Sequence, residues 1–474
     1  MTSPVTRFEG WSLPRGVEVT ATRDIPVRRT VGLNREAAVL LQPEIDPGWM
    51  GHLLDRLASA RAELLERTAE SIVDSLGRVG ERFLDPDDAL RQEALALLPG
   101  FAGQSEAMAE RVLDGMATDW THTRLRELLE HEVGGSEQLD IGHAWSEGPR
   151  AFGPDLTVQI LAGSVPGVTV SALIRTLLVK SPTLIKPGLG DAVLPTLFAR
   201  GLRAEDPALA DALGVLYWSG GSVDVERVAL SRADLVVVYG SDEVVESMRA
   251  RVRSDQRFIG YGHRISIGVV GQAALVREQV YRTAEDVAEA VALFDRRGCV
   301  SPQIVYVESG GDSTPRDFAD HLADAMQSVQ ERLPAGALDA AEASSMQQAR
   351  GIAELLAASS PGVWVRHGGR TPWTVVLAGA ESVVPNGGGR FLRVEPVTSL
   401  ADVPERVRPI RAHLQTVGTA GVDHAHAEAM DDLARVGVSR IVPFRSMAFP
   451  PPWWHHDGRG PLTPLLHWVD RECE

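Results

Sequence analysis

Cysteine is almost missing from this chain: Cys299 and Cys473 are its only two in 474 residues. A disulfide framework is thereby excluded, and the composition fits a reducing cytoplasm, where the chain is expected to reside. Positive charge is also short. Lys and Arg number 47 against 64 Asp and Glu, a formal net charge of −17. Duplex DNA and anionic membranes would be repelled at long range, so no nucleic-acid partner is expected. Phosphate-bearing ligands stay open, because backbone N–H groups and one lysine suffice to hold them. Long hydrophobic runs are missing too. The longest uncharged stretch, Leu156 to Ile174, is broken by Gly163, Ser164, Pro166 and Gly167, which read as strand, loop and helix start rather than a membrane span. No basic segment followed by an apolar run opens the chain, so no signal peptide is expected.

What is present is an ordinary globular balance, 44% hydrophobic and 23% charged, over a length sufficient for two or three domains. The first forty residues alternate apolar and polar positions (Val17–Ala21, Val27–Val31) and read as strands or arms. From about Trp49 to Leu129 apolar residues recur at helical spacing, as at Leu53, Leu54, Leu57 and Ala60. From Asp155 onward short apolar strands alternate with amphipathic helices: Leu156–Ala162, Thr183–Lys186 and Leu235–Tyr239 as strands, Val168–Leu178, Ala192–Leu202 and Asp242–Arg251 as helices. A second series runs through strand Ile265–Val270, helix Glu278–Asp295, strand Gln303–Glu308, helices Pro315–Arg332 and Glu342–Leu356, and strand Trp373–Leu377. The pattern predicts an α/β protein with parallel, doubly wound sheets. A short helix is expected to close the chain.

Gly298-Cys299-Val-Ser-Pro302 carries the most chemistry. A helix ending at Arg297 would be turned by Gly298, using φ > 0, to present Cys299. Arg296 and Arg297 would favour its thiolate. On these residues alone a packing cysteine and a nucleophile remain equally open.

The segment Phe294–Gln303 resembles the nucleophile segment of aldehyde dehydrogenases, and within them the LuxC-type acyl-CoA reductases. In the same order, Gly163–Gly167, Lys180–Lys186, Tyr217–Gly221, Tyr239–Glu243, Tyr261–His263, Glu395–Val397, Leu414–Val417 and His456–Gly458 resemble that family. Each alone is a weak signal; their shared order is specific. The resemblance implies an aldehyde dehydrogenase-like fold, with a doubly wound cofactor domain, an α/β catalytic domain and a small oligomerising element. It divides the chain into 1–150 (arms and helical layer), 151–262 (cofactor core), 263–440 (catalytic) and 441–474 (tail near the substrate entrance).

It also implies the reaction. Cys299 would take an acyl group from a thioester, carried on coenzyme A or a carrier protein, and hydride from NADPH would release an aldehyde. Phe258 through Arg277 contains no Asp or Glu, so the water-activating glutamate of hydrolytic relatives is expected to be missing. His263 is the nearest titratable candidate, either structural or an acid–base helper. Ser164 stands where the family's oxyanion-binding asparagine is expected. Lys186, Gly240, Ser241 and Glu395 match positions that hold the cofactor, their alternatives being a surface lysine, a strand-to-helix turn and a strand-end carboxylate. No acid follows Lys186 through Gly190, and Leu189 lies near the expected position, which favours NADPH over NADH. A homodimer or homotetramer is implied by fold analogy. No metal site is expected, since His424 and His426 would point to different helix faces.

Two rivals remain at this stage. A cysteine-dependent thioesterase or acyltransferase would turn over thioesters without nicotinamide. A non-catalytic subunit of a biosynthetic complex would neither bind NADPH nor acylate.

Overall fold

The computed structural model describes residues 5–31, 34–140, 148–161, 163, 165–369, 373–379 and 389–472. Among them the strands form four sheets. Leu235–Tyr239, Thr157–Ile160 and Thr183–Lys186 are short aliphatic runs buried almost throughout, as strands covered on both faces must be. They lie at the centre of a six-stranded sheet ordered Arg257–Tyr261, Leu235–Tyr239, Thr157–Ile160, Thr183–Lys186, Leu213–Leu216, Trp11–Ser12, parallel except for the last. The chain winds outward in both directions from Thr157–Ile160. A crevice therefore opens at the carboxyl ends of the central strands, where connecting segments diverge to opposite faces.

The second large sheet is ordered Trp364–His367, Trp373–Leu377, Arg390–Val397, Pro302–Glu308, Ile265–Val270, Leu414–Ala420, Arg440–Pro443, and only its first strand is antiparallel. Ser266 registers with Pro302, and Ile265 with Leu414. Three neighbouring strands thus begin side by side. Residues just before or at their starts (Arg264, Cys299, Gln415) are brought together, although they are distant in sequence.

The helical layer runs from Pro47–Ser59 to His122–Val133 and packs on the first large sheet. Helix Val168–Leu178 and strands Thr183–Lys186, Leu235–Tyr239, Ile265–Val270 and Trp373–Leu377 occupy their expected residues. Three expectations are corrected. Val17–Ala21 is irregular, and the arm begins only at Thr22–Val31, which pairs with Asn34–Pro43. The helix ahead of Cys299 stops at Ala292. The chain closes on a strand, His467–Arg471, whose partner is Gly148–Phe152; the alternation of a two-strand ribbon is too short to distinguish from a helical turn. Strand Arg440–Pro443 belongs to the second large sheet.

Candidate active site

Between the helix end at Ala292 and Cys299, the residues Phe294, Asp295 and Arg296 have φ of 60°, 50° and 59°. Left-handed backbone costs a side-chain-bearing residue about 1–2 kcal/mol, so the turn must be held from outside. Buried Asp295 pairs with buried Arg390 at 2.9 Å and accepts from the Gly336 N–H at 3.0 Å. Arg296 Nε donates to the Gly389 carbonyl at 2.8 Å. Arg297 pairs with Glu342 at 2.8 Å and donates to the Ala337 carbonyl. Gly298 is not in the left-handed region; its small size matters instead, since a Cβ there would lie 3.1 Å from the Phe294 ring.

The two arginines are committed to this scaffold, and the expected acidification of Cys299 does not occur. Burial, with the Asp457 carboxylate adding to it, pushes the thiol up to about 11, against a hydrogen bond from Gln415 and the charge of Arg264. Cys299 is partly exposed and lines a largely apolar cavity. Its carbonyl accepts from Ser266 Oγ at 2.6 Å, and Ser266 Oγ accepts from the Thr416 N–H at 3.2 Å.

A carboxylate does approach the sulfur, from the far end of the chain. Asp457, with φ of 55°, pairs with Arg264 at 2.7 Å and accepts from Gln415 Nε2 at 3.1 Å. His456 precedes it, with Nε2 3.8 Å from Asp457 Oδ1. The imidazole is stacked on Tyr261 at 4.8 Å and on Trp454 at 4.9 Å, and Tyr261 in turn on Tyr239 at 4.5 Å. Burial holds His456 down at about 4, outweighing the attraction of Asp457.

Two cavities meet here. The first, about 180 Å³, is walled largely by apolar side chains, among them Val165, Val168, Ile174, Phe449 and Trp454, with Cys299 and His456 in its wall. The second, about 490 Å³, is the crevice foreseen from the strand order, and it is lined by Ile160, Lys186, Leu189, Gly240, Ser241 and Arg251. Tyr239 lines both. Lys186 offers a cation to this crevice, which Glu226 and Glu243 also line: its ammonium lies 5.2 Å from the Tyr217 ring centre and 5.7 Å from that of Trp218. Burial lowers its pKa, Glu226 partly opposing this. Glu226 itself is held by Arg251 at 2.6 Å. Ser241 caps the following helix by accepting from the Val244 N–H.

Of the remaining sequence-derived candidates, Ser164 lies outside the described residues. His263 is exposed, its N–H donating to Asp242, and it lines neither cavity. Glu395 is buried, paired with Arg406 and, at 3.1 Å, with Arg393, and it too lines neither. In the sequence, Gln415, His456 and Asp457 stand out only as parts of segments of family likeness. Their spacing carries no signal of its own, because three separate segments supply this site.

The family model described as acyl-CoA reductase (LuxC) matches residues 64–468. The chain is similar to the long-chain acyl-protein thioester reductase 2 of Photobacterium leiognathi, 24% identical over 416 residues, covering 85% of this chain and 83% of that protein. It is likewise 24% identical over 414 residues to the long-chain acyl-protein thioester reductase of Aliivibrio fischeri, covering 85% and 82%. Among solved structures, aldehyde dehydrogenase 21 of Physcomitrella patens superposes with a TM-score of 0.73 at 13% identity, over 98% of each chain. The indole-3-acetaldehyde dehydrogenase of P. syringae, solved with NAD+, gives 0.70 at 14%, over 98% and 97%. The fold is that of the aldehyde dehydrogenases.

Proposed function

The chain belongs to the acyl-CoA reductase (LuxC) family, and from that membership we propose that it reduces an acyl thioester to an aldehyde, with Cys299 as covalent carrier and NADPH as reductant. The observation that carries this reading is the shared wall at Tyr239: the cysteine's apolar cavity and the crevice at the strand ends adjoin. The cavity suits an apolar acyl group placed against the Cys299 sulfur. Sulfur attack on the carbonyl expels the carrier thiol and leaves an acyl-cysteine. Exchange of one thiol for another is close to balanced. A nicotinamide cofactor, when bound, would supply the hydride that, with one proton from solvent, turns the acyl-cysteine into aldehyde and free thiol.

Lys186, Gly240 and Ser241 would hold that cofactor. An apolar Leu189 near Lys186, where an acid would repel a ribose 2′-phosphate, favours NADPH. The acyl group would arrive on coenzyme A or on a carrier protein, the net charge of −17 disfavouring the docking of an acidic carrier protein. The curated relatives are named for acyl-protein thioesters, so both donors belong in the assay. By likeness of fold the active form would be a homodimer or homotetramer.

The test follows NADPH absorbance with a panel of apolar acyl-CoAs and an acylated carrier protein, for wild type and Cys299→Ala. Consumption that needs both the thioester and Cys299, with aldehyde formed and NADPH binding unchanged in the variant, is expected. Turnover by Cys299→Ala would refute the acyl-cysteine.

A further inference from the structure

We propose that the acyl group taken by this site carries a hydroxyl, held between Arg175 and Asp119 in the wall of the cavity that Cys299 lines. This rests on the acyl-cysteine reading above and names the substrate class for it.

Helix Val168–Leu178 explains how a cation comes to face the cavity. Along it only Val168, Ser171 and Arg175 escape full burial. They stand at i, i+3 and i+7, one face of an α-helix, and all three line the cavity. Asp119 and Trp120 line it from the turn between helices Glu106–Thr118 and His122–Val133. Trp120 Nε1 donates to Ser171 Oγ at 3.2 Å, which seats that turn on the half-buried face. Arg175 approaches the Tyr239 hydroxyl, and its charge acts on Asp119. Among the described residues, however, Asp119 takes its ion pair from Arg124, at 3.3 Å, and not from Arg175.

The cavity wall is not uniform. Around the sulfur, Phe294, Val300 and Ala448 form an apolar cluster against which Cys299, Val165 and Phe449 pack. Asp119 and Arg175 belong to the rest of the wall, with Trp120, Leu125, Leu128 and Ile174 from the core beneath the helical layer. An acyl group joined to Cys299 would therefore run along apolar side chains before it met opposite charges.

Elementary chemistry selects what fits there. A carboxylate on the acyl group would be repelled by Asp119, and an ammonium by Arg175. A bare alkyl end would strip water from both charges and return no hydrogen bond. A hydroxyl accepts from the guanidinium and donates to the carboxylate, so one neutral group satisfies both. Alkyl and aryl acyl groups can each carry such a hydroxyl; the recognition is the same, and the test separates them.

The experiment follows acyl-adduct formation on Cys299 by mass spectrometry, without nicotinamide. It uses pantetheine thioesters, the arm common to coenzyme A and carrier proteins, in pairs that differ only by the hydroxyl. One series sets ω-hydroxyalkanoyl against alkanoyl groups, from hexanoyl to dodecanoyl; the other sets para-hydroxyphenylpropanoyl against phenylpropanoyl. In the wild type, the hydroxylated member of at least one series should acylate about ten- to a hundredfold faster, as a hydrogen bond to a charged group allows. Arg175→Met and Asp119→Asn should each lose most of that preference while reacting with the unsubstituted partner as fast as the wild type. A merely structural defect would instead slow both members of a pair alike. No advantage for the hydroxyl in either series, or a preference that both variants keep, would overturn the hydroxyl assignment alone. No adduct from any thioester would overturn the acyl-cysteine itself, and this assignment with it.

Discussion

At Lys186 a cation is held inside a crevice by two aromatic rings rather than by a carboxylate. Such a group is costly to bury without a partner, and an anionic ligand would relieve that cost. Lys186→Ala is expected to weaken NADPH binding by about 1.5–3 kcal/mol, about ten- to a hundredfold in Kd, as read by nucleotide fluorescence titration. Because burial lowers the lysine's pKa, the ammonium is lost as pH rises, and wild-type affinity should fall toward the variant's at alkaline pH. Equal affinity of the two proteins at pH 7 would remove Lys186 from the cofactor site. The same physics governs Cys299, whose charged form is disfavoured by its walls, and it separates this site from one in which arginines simply activate a thiolate.

At the scale of elements, the turn Phe294–Arg296 joins a helix to the strand Pro302–Glu308 through three left-handed residues. Strain of this kind persists only where surroundings over-determine it. The Asp295–Arg390 pair, 2% and 1% exposed, is the principal clamp. Arg390→Leu would leave a buried carboxylate uncompensated, and a loss of about 3–5 kcal/mol in urea unfolding is expected, with slower acylation of Cys299. A loss under about 1 kcal/mol would show that the turn is held by other contacts. The loop beside the cavity is held in a related way: buried Asp191 accepts from the N–H groups of Gly167 and Thr169 at 2.8 and 2.9 Å, fixing the start of helix Val168–Leu178.

Across the whole molecule, the active site depends on the C-terminal segment returning over both large sheets. Strand His467–Arg471 pairs with Gly148–Phe152, and Arg257 donates to the carbonyls of Leu465 and Leu466, securing the stretch that follows His456 and Asp457. Light scattering is expected to give a multiple of the 51.1 kDa chain. A monomer at micromolar concentration would refute the proposed homo-oligomer.

Much was legible from residues alone. Leu235–Tyr239 and Thr183–Lys186 could be read as buried parallel strands because continuous aliphatic runs between amphipathic helices have few other solutions. The order of the likenesses around Cys299 indicated the family. Those local patterns determined the layers, and with them the crevice that Lys186, Gly240 and Ser241 line. The tertiary structure alone decided what surrounds the sulfur. Arg264, Gln415, His456 and Asp457 come from separate segments, and strand register, not spacing along the chain, sets them beside Cys299. It also decided the protonation of that cysteine, since desolvation depends on what encloses a group, and no neighbour in sequence reveals it.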